Sequence, residues 1–209
     1  MIPVNVLAVR YLANTSPALA KGLGAPAGMP SLGMLTTDCD DATYIALDAA
    51  TKAADVQVSY GRSFYAGAAN ASTPNAGEVI GVLAAATPGA VRSGMEAALS
   101  ALERLGFEET HGVPFLAHTV ASVGSFLAKE AGVPMGSAIA YLIAPPLEGM
   151  YAMDAALKAA DVKLCKLYAP PSETNFGGGL LSGTQSACQA ACAAFATAVA
   201  EVAKQPLEK

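Results

Sequence analysis

Two hydrophobic rhythms alternate along this chain, and their order predicts short strands followed by helices. Val4–Tyr11 is an apolar strand candidate. Ser16-Pro17 opens a short helix, with Ser16 as N-cap and Pro17 at the first helical position, where its missing N–H costs nothing. Ser31–Thr37 reads as a second strand. Over Asp41–Ala54, the residues Ala42, Ile45, Ala46, Ala49, Ala50 and Ala53 fall at i, i+3, i+4 spacing, the stripe of a helix packed on one face. Val56, Val58 and Tyr60 alternate with polar residues, as in a half-buried strand. Gly67–Gly77 is a loop rich in Gly, Ala and Asn. Glu78–Ala86 is the next strand and Pro88–Leu105 the next helix, with Thr87 as N-cap.

After a boundary in Gly106–Pro114 the same order returns. Phe115–Ala121 is a strand, Ser125–Ala131 a short helix, Ala138–Ala144 a strand, Leu147–Ala160 a helix and Val162–Tyr168 a strand. Ala169–Gly179 is a loop and Thr184–Ala203 the closing helix. The echo is also literal. Residues 46–56 read ALDAATKAADV and residues 152–162 read AMDAALKAADV, an offset of 106. Asp48 matches Asp154, and Lys52 matches Lys158. At an offset of 108, Leu19, Ala20, Lys21, Gly24, Pro26 and Gly28 match Leu127, Ala128, Lys129, Gly132, Pro134 and Gly136. Two matches in the same order predict a duplicated domain, residues 1–107 and 108–209, and a pseudo-symmetric building block rather than a solenoid. Frequent helices with short, partly alternating strands predict an α+β class: a small, mostly antiparallel sheet with helices packed on it in each copy.

Composition narrows the function. The chain is 53% hydrophobic and 14% charged, against about 25% charged in ordinary soluble domains, so neighbouring subunits are expected to cover part of its surface. No uninterrupted apolar run reaches the roughly 18 residues of a membrane span: Pro145 and Pro146 break one stretch, and Gln185, Gln189 and Glu201 mark the last. The opening MIPVNVLAVR lacks a basic segment, so no signal peptide is expected. A net charge of −5 without a Lys/Arg cluster disfavours nucleic acid. Cys39, Cys165, Cys188 and Cys192 read as small buried hydrophobes, and reduced thiols fit a cytosolic protein.

Catalytic chemistry finds little support. His111 and His118 lack ligand spacing, and no G-x-S-x-G or dinucleotide motif is present, so neither an enzyme nor a cofactor nor a metal is expected. Gly177-Gly178-Gly179 is not followed by Lys-Ser/Thr and reads as a closely packed or mobile loop. The acidic run Asp38-Cys39-Asp40-Asp41 has two readings. Asp40 or Asp41 could favour the start of the following helix, or a carboxylate there could hold a ligand.

The strand LGML, the phrase DAATKAADV, a strand, a Gly-containing loop, the strand GEVIGVLAAATPGAV and a long Ala-rich helix together resemble the bacterial microcompartment (BMC) shell domain. An extra strand and short helix before LGML, in both copies, resemble the circularly permuted tandem type of that family. TTDCDDATYIALDAATKAADV, AYLIAPPLEGMYAMDAALKAADV, PPSETNF and SGTQSACQAAC resemble its ethanolamine-utilisation branch. The resemblance implies a structural shell protein in the cytoplasm, three chains making a pseudo-hexagonal trimeric tile, and tiles joining each other and other shell proteins in a flat sheet. It implies Lys52 and Lys158 at the tile edge. It implies pore loops containing Gly67, Asn70, Gly77, Asn175, Phe176, Gly177, Gly178 and Gly179. It implies a small-solute site at Asp40, Glu78 and Phe107, with ethanolamine as the solute. A shell protein of a related amine, aldehyde or diol compartment, or a non-shell small-molecule-binding protein using Asp40 and Glu78, is the alternative.

Overall fold

The structure, a computed structural model, describes residues 1–64, 78–170, 172 and 174–207. The first half runs β1 (Ile2–Pro3), β2 (Val6–Leu12), α1 (Pro17–Gly22), β3 (Ser31–Thr37), α2 (Asp40–Ala53), β4 (Gln57–Phe64), β5 (Glu78–Ala85) and α3 (Pro88–Leu102). The second runs β6 (Gly106–Thr110), β7 (Val113–Val120), α4 (Ser125–Ala131), β8 (Ala138–Ala144), α5 (Pro146–Ala159), β9 (Val162–Tyr168), β10 (Gly177–Gly183) and α6 (Gln185–Lys204). By contacts the chain divides into two compact units. One is Pro3–Gly106 with Gly124–Leu127; the other is Met1–Ile2, Phe107–Val123 and Ala128–Lys209.

In the unit of Pro3–Gly106, four strands pair in the order β2-β3-β5-β4, each pairing antiparallel. The helices α2 and α3 lie directly on the sheet. A Cβ on Gly81 of β5 would come within 2.6 Å of the Leu47 side chain on α2, so glycine there permits the close approach. Thr87 caps α3 by accepting the Ala90 N–H at 3.2 Å.

The other unit orders its strands β1-β6-β7-β8-β10-β9. Its core joins Phe115, Ala140, Leu142, Met153 and Leu181 to Cys188, Cys192, Phe195 and Val199 of α6. That helix is long and apolar enough to cross a membrane by length and composition, yet these side chains are buried in the core cluster.

The α+β class with mostly antiparallel sheets is what the chain forms. The duplication is visible in backbone geometry: Gly24 and Gly28 have φ of 68° and 83°, and their counterparts Gly132 and Gly136 have 64° and 86°.

Two elements differ from expectation. The boundary Gly106–Pro114 contains a hairpin, β6–β7, turned by His111 and Gly112, both at positive φ (48° and 80°). The expected loop Ala169–Gly179 ends early, because Gly177, Gly178 and Gly179 belong to β10, buried between β8 and β9. A Cβ at Gly178 would lie 1.9 Å from the Leu142 carbonyl oxygen, so crowding demands glycine where the sequence reads as a loop. Cys39, Cys188 and Cys192 are buried as expected, whereas Cys165 is only half-buried. Ser16 sits at the N-cap of α1, but its side chain makes no capping bond.

Candidate functional site

The acidic run lies where β3 ends and α2 begins. Thr37, the last residue of β3, accepts the Cys39 N–H at 3.2 Å, and its hydroxyl meets that of Thr43 at 2.7 Å. Asp38 turns back toward β2: its two carboxylate oxygens accept the backbone and side-chain N–H groups of Asn5 at 2.8 and 2.7 Å. Cys39 occupies the N-cap position of α2 without a capping bond from its side chain, and Asp40 and Asp41 form the acidic first turn, where the helix dipole favours them. The Asp40 carboxylate accepts the Asp41 N–H at 2.9 Å. Helix initiation is therefore part of what Asp40 does.

It is not all that Asp40 faces. The residue is 4% exposed. Burial pushes its pKa up from 3.8 to about 6, against the lowering effect of a hydrogen bond from Ser63 and of backbone amides. The Ser63 hydroxyl is in turn 2.6 Å from the Tyr44 hydroxyl. The result is a buried carboxylate, at the end of a hydroxyl relay, that titrates at about 6.

Strand register decides which predicted residues share this place. Thr37 of β3 and Ser63 of β4 both pair with Val79 of β5, and Phe64 pairs with Glu78. Asp40, just after β3, and Glu78, first in β5, thus occupy the same end of one sheet. Phe107 belongs to the other unit. It is fully buried there, its ring centroid 5.6 Å from that of Phe176. Gly67, Asn70 and Gly77 lie outside the described residues. Asn175 and Phe176 precede β10, where the Ser172 hydroxyl bridges the carbonyls of Thr174 and Phe176 at 2.8 and 2.7 Å.

The repeated lysines both pair one turn back along their helices. Lys158 pairs with Asp154 in solvent, the side chains 73% and 65% exposed. Lys52 lies 3.2 Å from Asp48, which is fully buried. Sequence reading missed what Asp48 does. Its oxygens accept the backbone N–H of Gly124 at 2.8 Å and of Leu127 at 2.9 Å, the start of α4, within the same compact unit. Thr51, one turn on, accepts the Ser125 N–H at 3.1 Å. The signal was present: Gly124 has no side chain with which to cap the helix it precedes.

A cavity of about 400 Å³ lined by Val133, Lys163, Cys165 and Ser182 includes none of the predicted residues.

Two antiparallel α+β units with an internal repeat correspond to a known architecture: residues 31–115 match the BMC domain family. The chain is 56% identical over 211 residues to the bacterial microcompartment shell protein EutL of Clostridium perfringens (strain 13 / Type A), covering 99% of this chain and 97% of that one. It is 46% identical to EutL of Escherichia coli (strain K12), over 100% of this chain and 97% of that one. The crystal structure of the ethanolamine utilization protein EutL from Leptotrichia buccalis C-1013-b superposes with a TM-score of 0.93 at 56% identity, covering 100% of this chain and 98% of that one. The chain belongs to the EutL family of bacterial microcompartment shell proteins. That family is structural, not enzymatic, and its place is the microcompartment shell.

Proposed function

We propose that the chain is a tile of an ethanolamine-utilisation microcompartment: two BMC domains, residues 1–107 and 108–209, three chains per pseudo-hexagonal tile, and tiles joined to each other and to other shell proteins. The observation that carries this reading is one α+β unit built twice in one chain, down to paired positive-φ glycines at 24/132 and 28/136. A heterologous contact between two like domains closes into a ring when the rotation allows. The relatives support the pathway through their ethanolamine-utilisation name. Lys52 and Lys158 serve at the tile edge, and arrays that persist after Lys52→Ala, Lys158→Ala would remove that assignment. Asn175 and Phe176, just before β10, line a central pore.

Asp40 and Glu78 make the mouth of a small solute channel. A primary ammonium suits a carboxylate whose pKa burial has raised to about 6, since binding the cation favours the charged form. Stripping water from a cation beside a buried carboxylate offsets most of their attraction, so the expected affinity is on the order of millimolar, weak enough to release what is admitted. Light scattering and electron microscopy test the tile: the expected result is three times 20.9 kDa and extended sheets, whereas a single chain at micromolar concentration overturns it. Ethanolamine titration followed by NMR tests the channel. Saturable shifts should weaken below pH 6 and vanish in Asp40→Asn, Glu78→Gln; equal shifts in that variant overturn the solute site.

A further inference from the structure

The first repeat is covered where the second is bare. On α2, Asp41, Ile45 and Asp48 are 6%, 5% and 0% exposed. Their counterparts on α5 at the offset of 106 are Leu147 and Tyr151, 63% and 48% exposed, and Asp154, whose side chain is 65% exposed. The short helices show the reverse asymmetry. Leu127 of α4 is 1% exposed, whereas its counterpart Leu19 of α1 is 47% exposed, and no residue of α1 is buried. What covers Asp48 on α2 is Gly124–Leu127. The counterpart of that segment is Ser16–Leu19.

The substitutions between copies are matched. Thr51 accepts a hydrogen bond from the Ser125 amide. In the other copy Thr51 becomes Leu157, which has no acceptor, and Ser125 becomes Pro17, which has no N–H. Acceptor and donor are lost together, as two residues in contact require. Gly124 likewise excludes a Cβ, which would fall 2.2 Å from the Thr51 hydroxyl. Ser16, which has a Cβ, corresponds to it where that hydroxyl has been replaced by leucine.

We propose that the exposed face of α5 receives Ser16–Leu19 of a second copy of this chain, as α2 receives Gly124–Leu127 within one chain. Asp154 accepts the backbone N–H groups of Ser16 and Leu19 across the junction, Lys158 stays paired with Asp154 as Lys52 does with Asp48, and Leu19 loses its exposure. The occupant is specified by the duplication itself. The two matched surfaces, α1 in the first repeat and the α5 face in the second, lie on different repeats, so the contact is head-to-tail and propagates from chain to chain until it closes. The proposal rests on the tile reading and assigns its chain-to-chain joint.

The test uses the full chain with Pro17→Cys and Leu157→Cys together, each single variant as control, and far-UV circular dichroism to confirm folding. Under mild oxidation the double variant should give covalent species of two and three chains on a non-reducing gel, and the single variants should give none. In parallel, Asp154→Arg should weaken association at least tenfold by light scattering. A wild-type protein that is itself a single chain overturns the tile reading. A wild type that assembles, with no cross-link in the double variant or with undiminished association in Asp154→Arg, overturns this junction and leaves the tile standing.

Discussion

The helices α2 and α5 carry nearly the same words, A-x-D-A-A-x-K-A-A-D-V, and place them in opposite surroundings. On α2 the aspartate is fully buried and holds two backbone amides and a lysine. On α5 it stands in solvent and holds a lysine beside it. A repeated motif therefore fixes a geometry of side chains along a helix, and the segment laid across that helix decides what the motif does. The same carboxylate is a structural keystone in one copy and an open acceptor in the other.

The largest expected effect breaks this contrast at its buried end. Asp48→Ala leaves the Gly124 and Leu127 amides and the Lys52 ammonium without their acceptor, and removing one partner from a buried charged network costs about 3–5 kcal/mol. Asp154→Ala in the dissociated chain should cost within about 0.5 kcal/mol, as exposed substitutions do. Urea unfolding of both variants decides; comparable losses would mean that burial of Asp48 contributes nothing. The start of the two helices sharpens the contrast next, because Asp40 opens α2 and Pro146 opens α5. With a folded pKa raised from 3.8 to about 6, Asp40 keeps its proton in the folded chain where the unfolded chain has lost it. Stability should therefore fall as pH rises from about 4 to about 6 and level off above, by on the order of 2–3 kcal/mol. Asp40→Asn should flatten that slope and be the more stable form at pH 8, with urea midpoints at pH 4, 6 and 8 as the measurement. The smallest effect belongs to the exposed pair: Lys158→Ala should shift stability by no more than about 0.5 kcal/mol, and a loss above 1 kcal/mol would show that the solvent-facing pair is more than a surface contact.

Much of the framework was legible. The strands β3, β8 and β9 and the helix α4 begin and end where the apolar pattern and its Gly, Pro and Asp punctuation place them. The strand β10 was not, because three glycines have no polar–apolar alternation to read; the need for them comes from Leu142 on the neighbouring strand. Nor was β6, since Glu108 and Glu109 look like linker until a two-residue turn folds them back on Pro114 and Phe115. The acidic run announced itself, yet its partners Ser63 and Tyr44 are distant in sequence and met only through the sheet register. Asp48 was hidden for a different reason. A charged residue beside a helical stripe is normally solvated, and only a segment 76 residues downstream makes it a buried acceptor.

That downstream partner imposes an order on birth. As the chain leaves the ribosome, the sheet β2-β3-β5-β4 and the helices α2 and α3 are complete once residue 102 has emerged, and N-terminal units generally fold first during synthesis. Asp48 still has no amides to hold. It remains hydrated until Gly124 and Leu127 arrive, so the first unit is sealed only after the second has begun to appear. A nascent chain stalled before residue 124 should accordingly carry a water-filled notch on α2, and the sealing of that notch marks the moment at which the two repeats cease to be interchangeable.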